Sequence, residues 1–174
     1  MYDLTDIVFL VLLFVHVGTV VLWMGASILY VSVLGPSIKR LSPSSRADLI
    51  KAIGSAYERY NLRNATIAIV AGLILYAYVT GRIVSVSSNV MLGDSGMPWI
   101  LAGILFGLAA YILGIAVVMR ANRGLMRQMG AAPAGSAPSA EMMSLQRRVA
   151  MGSGLQALFL VLALLFMIVG ANTF

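Results

Sequence analysis

A single histidine, His16, stands well inside an apolar run that extends from Ile7 to Leu34. Apart from tyrosines it is the only ionisable side chain deep within any long apolar block of the chain. Ionisable groups in hydrocarbon are expensive, so a functional role is the starting hypothesis. Three kinds of chemistry suit a buried imidazole. A neutral ring nitrogen can ligate heme iron or copper. The ring can relay protons or bind a quinone. It can also serve only as a hydrogen-bonding tie to a neighbouring helix.

The residues around His16 set what each option requires. With one histidine, a bis-histidine heme cannot form within one copy of the chain; His–Met ligation, or His–His across a dimer, remains. Eleven methionines are available, and Met24, Met119, Met151 and Met167 lie in or near apolar blocks. Their thioethers suit copper(I) or heme iron, although methionine is equally a gap-filling residue. Met24 is the metal-ligand candidate beside His16. Trp23 follows His16 by seven residues and so lies on nearly the same helical face, too deep for an interfacial belt; it packs against a cofactor or a helix. Arg63 stands where an amphipathic segment meets the second apolar block, placed for a lipid phosphate, a cofactor propionate or a carboxylate. Trp99, after Pro98, reads as a belt anchor. Asp6 and Asp94 have no partner cluster in the sequence and read as solvated.

Other chemistries find no support. The absence of cysteine removes disulfides, thiolate metal sites and cysteine nucleophiles. There is no phosphate-binding glycine loop, no HExxH, no nucleophile elbow and no carboxylate pair within an apolar block. The expectation is a non-catalytic protein.

The elements that must hold these residues are set by the solvent. Of 174 residues, 60% are hydrophobic and 10% charged, against about 25% charged in soluble domains. A bilayer core takes about 20 helical residues to cross, and hydrocarbon leaves backbone groups no partner but the helix itself. The expected fold is an all-α integral membrane four-helix bundle, one domain over 1–174, with spans at about 7–34, 64–80, 99–119 and 149–170. Asp6 is read as the first N-cap, Gly35-Pro36 as a stop, and Gly81-Arg82 as the end of the second span. Ser42-Pro43 reads as an N-cap with a first-turn proline. From there to residue 63, Leu49, Ile50, Ile53, Tyr57 and Tyr60 form an apolar stripe. That predicts an amphipathic cytoplasmic helix, lying in the interface or extending the second span. Residues 83–98 read as a polar loop on the opposite side. Residues 130–140 read as a flexible cytoplasmic loop, and the fourth helix is expected to start near Ser139.

Small residues indicate packing. Gly103, Gly107, Ala110 and Gly114 form one stripe, and Gly18 and Gly25 a second. Each permits close helix approach, within the bundle or in a homo-oligomer or with other membrane subunits. The net charge of +6 is assigned to the membrane surface rather than to nucleic acid.

The stretch from His16 to Gly25 reads H-x6-W-x-G, followed by Pro36, a basic amphipathic segment, Arg63 and a span containing Gly72. Over about residues 7–80 this resembles the first two spans of copper resistance protein D (CopD)-like membrane proteins. It is also similar to small four-helix proteins related to the HemJ type of protoporphyrinogen oxidase. The resemblance implies an all-helical membrane domain with a first-span histidine ligand. It implies copper handling, or electron transfer with heme b, with His16 as the ligand candidate and Trp23 as its neighbour. Longer CopD proteins and histidine-richer HemJ proteins carry ligands that this chain lacks, which leaves a non-catalytic accessory or assembly subunit as the alternative.

Eleven of the twelve lysines and arginines lie between spans one and two or between spans three and four; Arg82 is the exception. The positive-inside rule makes that side cytoplasmic and puts both termini outside, in a multi-pass protein of the cell membrane. A reporter active only outside the cytoplasm, fused after Phe174, is expected to give signal; activity confined to the cytoplasm refutes the orientation.

Overall fold

The computed structural model describes residues 4–86, 96–131 and 138–172. The expectation at Asp94, and most of the expected loops at 83–98 and 130–140, lie outside those residues. Within them, four long helical rods form an all-α bundle, each long and apolar enough to cross a membrane. The first is α1 (Leu4–Leu29), a π turn (Tyr30–Leu34) and α2 (Gly35–Lys39); the second is α3 (Pro43–Val86). The third is α4 (Met97–Leu113), a second π turn (Gly114–Met119) and α5 (Arg120–Ala131); the fourth is α6 (Ala140–Ala171). The bundle turns its apolar side chains outward as well as inward: Phe14 is 79% exposed and Leu105 68%. An outer surface of that kind belongs in lipid.

Several boundaries differ from the sequence reading. The first helix begins at Leu4, so Asp6 lies inside its first turn rather than capping it. Gly35-Pro36 does not stop the first rod. Proline cannot donate to the carbonyl four residues back, and its ring collides with it. Here the preceding turn widens: the Gly35 N–H donates to the Tyr30 carbonyl, five residues back, and the helix resumes with Pro36 in its opening turn. A Cβ on residue 35 would sit 3.2 Å from that carbonyl oxygen, so glycine suits the widened turn. Gly81-Arg82 does not end the second rod, which continues to Val86; one interior glycine costs a helix only about 1 kcal/mol. Gly130 belongs to α5 rather than to a loop.

The amphipathic segment 43–63 is no separate interfacial helix. It is the first half of α3 and runs without a break into the second span. Its apolar stripe faces the first rod: Tyr57 stacks on Tyr30 with ring centroids 5.2 Å apart, and its hydroxyl donates to the Ala26 carbonyl at 3.0 Å. Arg46 fastens the turn between the rods, donating from Nε to the Ile38 carbonyl at 3.1 Å and from a guanidinium nitrogen to the Lys39 carbonyl at 2.9 Å. These carbonyls end a helix and have no intrahelical partner, so a cation is well placed there. Ser42 caps α3 by accepting from the Ser45 N–H, as the sequence predicts, and at the expected start of the fourth helix Ser139 caps α6 by accepting from the Met142 N–H.

The stripe Gly103, Gly107, Ala110, Gly114 is buried, and the third and fourth rods pack along it. A Cβ on residue 103 would meet Met167 Cγ at 2.7 Å and the Ala163 carbonyl oxygen at 3.1 Å. At residue 107 it would meet nothing within 4 Å. Gly103→Ala is therefore expected to lower stability by about 1–3 kcal/mol, and Gly107→Ala to change it by less than about 0.5 kcal/mol, in denaturant titrations of the detergent-solubilised protein. Equal effects would refute this account of the third–fourth helix seam.

Candidate functional site

His16 lies at the seam between α1 and α3. Its Nδ1 is 2.9 Å from the Ala68 carbonyl oxygen. A carbonyl can only accept, so Nδ1 carries the proton and Nε2 keeps the lone pair of the neutral ring. The ring presses against Gly72, one turn beyond Ala68: a Cβ there would fall 2.6 Å from His16 Cε1 and 2.8 Å from Nδ1. Gly72 thus forms a notch for the imidazole, and Ala68 an anchor.

Trp23, two turns on, serves a different purpose. It is 1% exposed and sits among Ala65, Ala68, Ala110 and Leu160, which come from three other rods. Tyr111 meets it edge-on, with centroids 6.4 Å apart at 90°, and the Tyr111 hydroxyl is hydrogen-bonded to Thr66 Oγ1 at 3.0 Å. Met24 packs against the same cluster. Eight residues separate it from His16, about 12 Å along a helix, so the two do not converge on one ion. Arg63 is exposed on α3. Of the four candidates, the structure brings Trp23 and Met24 to one cluster, and places His16 and Arg63 elsewhere. Trp99 stacks on Phe166 at 5.7 Å, half-exposed at the end of the bundle opposite the basic loops.

Toward the basic end, below Trp23, all four rods line a partly open cleft with about 70 Å³ of enclosed space. Both π turns border it, through Tyr30 and Leu34 on one side and Gly114 and Met119 on the other. π turns inside α-helices recur at functional sites because they displace the backbone and redirect side chains. The wall is mostly apolar, yet several polar residues line it. The Trp23 indole N–H and Asn61 Oδ1 are buried with no hydrogen-bond partner. Ser153 and Gln156 are also buried, and Gln156 Nε2 would lie 2.6 Å from a Cβ on residue 114, so glycine makes room for that amide. Glu58 is the one formally charged side chain in the lining. It accepts from Arg123 Nε at 2.7 Å and from Asn122 Nδ2 at 3.1 Å. Asn61, Ser153 and Gln156 escape a search for ionisable groups because they are neutral. Their signal in the sequence is an amide within the apolar fourth span, and another one turn from Tyr57.

Among the described residues, no three His, Cys, Asp or Glu side chains gather into a metal-holding group. No protein-family profile, curated protein or solved structure matches this chain. The class defined by fold and surface is an integral membrane four-helix protein.

If Gly72 is the notch for His16, the two positions must be coupled. Gly72→Ala alone is expected to destabilise the protein by about 1–3 kcal/mol, but to cost less than about 0.5 kcal/mol in a His16→Ala background. Additive effects in that double-mutant cycle would show that the ring and the notch are independent.

Proposed function

We propose that this protein binds a heme or copper centre through Nε2 of His16, in electron transfer or metal handling, without itself being an enzyme. The observation that supports it is the Nδ1–H donation to the Ala68 carbonyl. Such an outer hydrogen bond fixes the tautomer and ring orientation and leaves the other nitrogen basic, which is how ligating histidines are held. With no group of three or more His, Cys, Asp or Glu side chains among the described residues, His16 would hold such a centre together with methionine or with donors from a second chain. The bilayer is the cell membrane, and the arginine- and lysine-rich end faces the cytoplasm.

The source of a second chain is constrained by the helix wheel. Gly18 and Gly25 lie roughly 180–200° around α1 from His16, and a Cβ on either would meet nothing within 4 Å. A homodimer packed through that face keeps the two His16 rings apart, so bis-histidine ligation across it is disfavoured. A donor from another subunit at the α1–α3 seam suits the geometry better.

The second reading is an accessory or assembly subunit in which His16 only ties two helices. It is favoured by the first span: 6% of its most apolar window is buried, against 17–22% for the other three. Both readings are decided on protein purified from its own membranes in mild detergent. Ligation predicts a Soret band or bound copper in the wild type that is lost in His16→Ala. No Soret band in native and heme-reconstituted protein, together with equal copper in wild type and variant, removes it. Recovery of the monomer alone removes the subunit reading.

A further inference from the structure

Two arginines flank the third and fourth rods where those rods leave the bilayer. The expected third span ends at Met119 and the expected fourth begins at Val149, so Arg120 and Arg148 are the first residues past the hydrocarbon on their helices. The packing of the two rods sets their register. A Cβ on residue 124 would lie 3.3 Å from Leu145, and one on residue 152 would lie 2.9 Å from Val118. Antiparallel helices in that register carry Arg120 and Arg148 at nearly one level, about 3 Å apart along the axis. Arg120 stands one turn before Gly124 and Arg148 one turn before Gly152, each about 40° around its helix from that seam glycine. Both arginines are exposed, so they stand on the outer side of the seam.

Neither guanidinium has a counter-charge in the bundle. Among the described residues, neither takes part in an ion pair or a side-chain hydrogen bond. Glu58, on the neighbouring α3, is already engaged by Arg123 and Asn122. Glu141 precedes Arg148 by seven residues, about 10 Å along α6. Two like charges side by side at a membrane boundary attract an anion, and the planar fork of arginine matches phosphate oxygens in pairs. The surface above them says which kind of anion. On α6, Met151 and Leu155 lie one and two turns into the bilayer from Arg148 and are 60% and 43% exposed. On the third rod Ile112, two turns in from Arg120, is 62% exposed. A free phosphate or an acidic peptide would use the cations alone, whereas an anionic phospholipid uses the cations and the apolar surface together.

We propose that Arg120 and Arg148 clamp the phosphate of one anionic phospholipid, of the phosphatidylglycerol type, whose acyl chains lie along Met151, Leu155 and Ile112. The other basic residues at this end attract anionic headgroups as a diffuse field that favours no one position. The clamp differs from that field in bringing two unpaired forks to one level on two helices, directly below exposed apolar side chains. It lies at the seam of the third and fourth rods, whereas His16 lies at the seam of the first and second.

The test uses the full chain in detergent micelles with a fluorescent phosphatidylglycerol as the probe, displaced in turn by unlabelled phosphatidylglycerol, phosphatidylcholine, inorganic phosphate and hexaglutamate. Circular dichroism establishes that each variant is folded. Phosphatidylglycerol is expected to displace the probe at concentrations about tenfold lower than phosphatidylcholine, and Arg120→Gln and Arg148→Gln each to weaken phosphatidylglycerol by about tenfold, the worth of one charge-assisted hydrogen bond. Phosphatidylcholine is unaffected by either change. The double variant Arg120→Lys with Arg148→Lys keeps the charge and loses the forks, and is expected to fall between wild type and the glutamine variants. Arg40→Gln, at the end of the first rod, leaves binding unchanged, and so does His16→Ala, so the lipid clamp and the metal reading stand or fall separately. A loss in Arg40→Gln equal to that in Arg120→Gln is diffuse surface attraction and overturns the proposal. So does a wild type that holds phosphatidylcholine as tightly, or one from which inorganic phosphate or hexaglutamate displaces the probe as readily as the lipid does.

Discussion

One indole decides how the four rods meet. In a bilayer the hydrophobic effect does not separate a helix interior from its lipid surroundings, because both are apolar. What distinguishes the packed state is shape: dispersion contacts made where surfaces fit and lost where they do not. Trp23 supplies the largest rigid surface at the crossing, and its neighbours are nearly as small as side chains can be. Ala65 and Ala68 lie on α3, Ala110 on α4, and only Leu160 on α6 is bulky. Alanine at those positions lets the α3 and α4 backbones approach the ring. The glycine stripe of the third rod does the same for the fourth. The bundle is therefore held by a few large groups seated in small ones, with Trp23 in its alanine socket, His16 in the Gly72 notch and Gln156 over Gly114.

That arrangement explains why the polar groups fare differently on the two sides of Trp23. His16 reaches a backbone carbonyl because the notch at Gly72 brings α3 close. A helical carbonyl has a second lone pair, so the helix loses nothing by accepting from the ring. Beyond Trp23, residues of the widened turns at Tyr30–Leu34 and Gly114–Met119 border the cleft. There Asn61 Oδ1 is buried without a hydrogen-bond partner, and the buried Gln156 amide lies against Gly114. The same chain thus has a closed seam with its polar group satisfied and an open one with polar groups to spare.

The spans were legible from the sequence because hydropathy over 20 residues averages away local detail. The stripe of small residues was legible because its spacing is helical, and so were the cap at Ser42 and the helix start near Ser139. What could not be read was where rods end and where they bend. Gly35-Pro36 carries every sign of a stop, yet a π turn, which has no composition of its own, absorbs the proline. The apolar stripe of 43–63 fits a membrane surface and a neighbouring helix equally well; the contact of Tyr57 with Tyr30 and Ala26 decides for the helix. His16 stood out because charge is rare in these spans. The cleft did not, because it is made by two bends and three neutral side chains far apart in sequence.

An unpartnered indole N–H in a low-dielectric core is a cost of about 1–3 kcal/mol that a phenylalanine would avoid while keeping most of the ring. The socket itself does not require a donor: its walls are methyl groups and an edge-on tyrosine whose hydroxyl is occupied by Thr66. Packing therefore accounts for the size of Trp23 and leaves its nitrogen unexplained. The nitrogen is not alone in this. Asn61 presents the opposite polarity, and leucine would fill that position without cost to α3. A buried donor on α1 and a buried acceptor on α3, both without hydrogen-bond partners, are costs that packing does not explain.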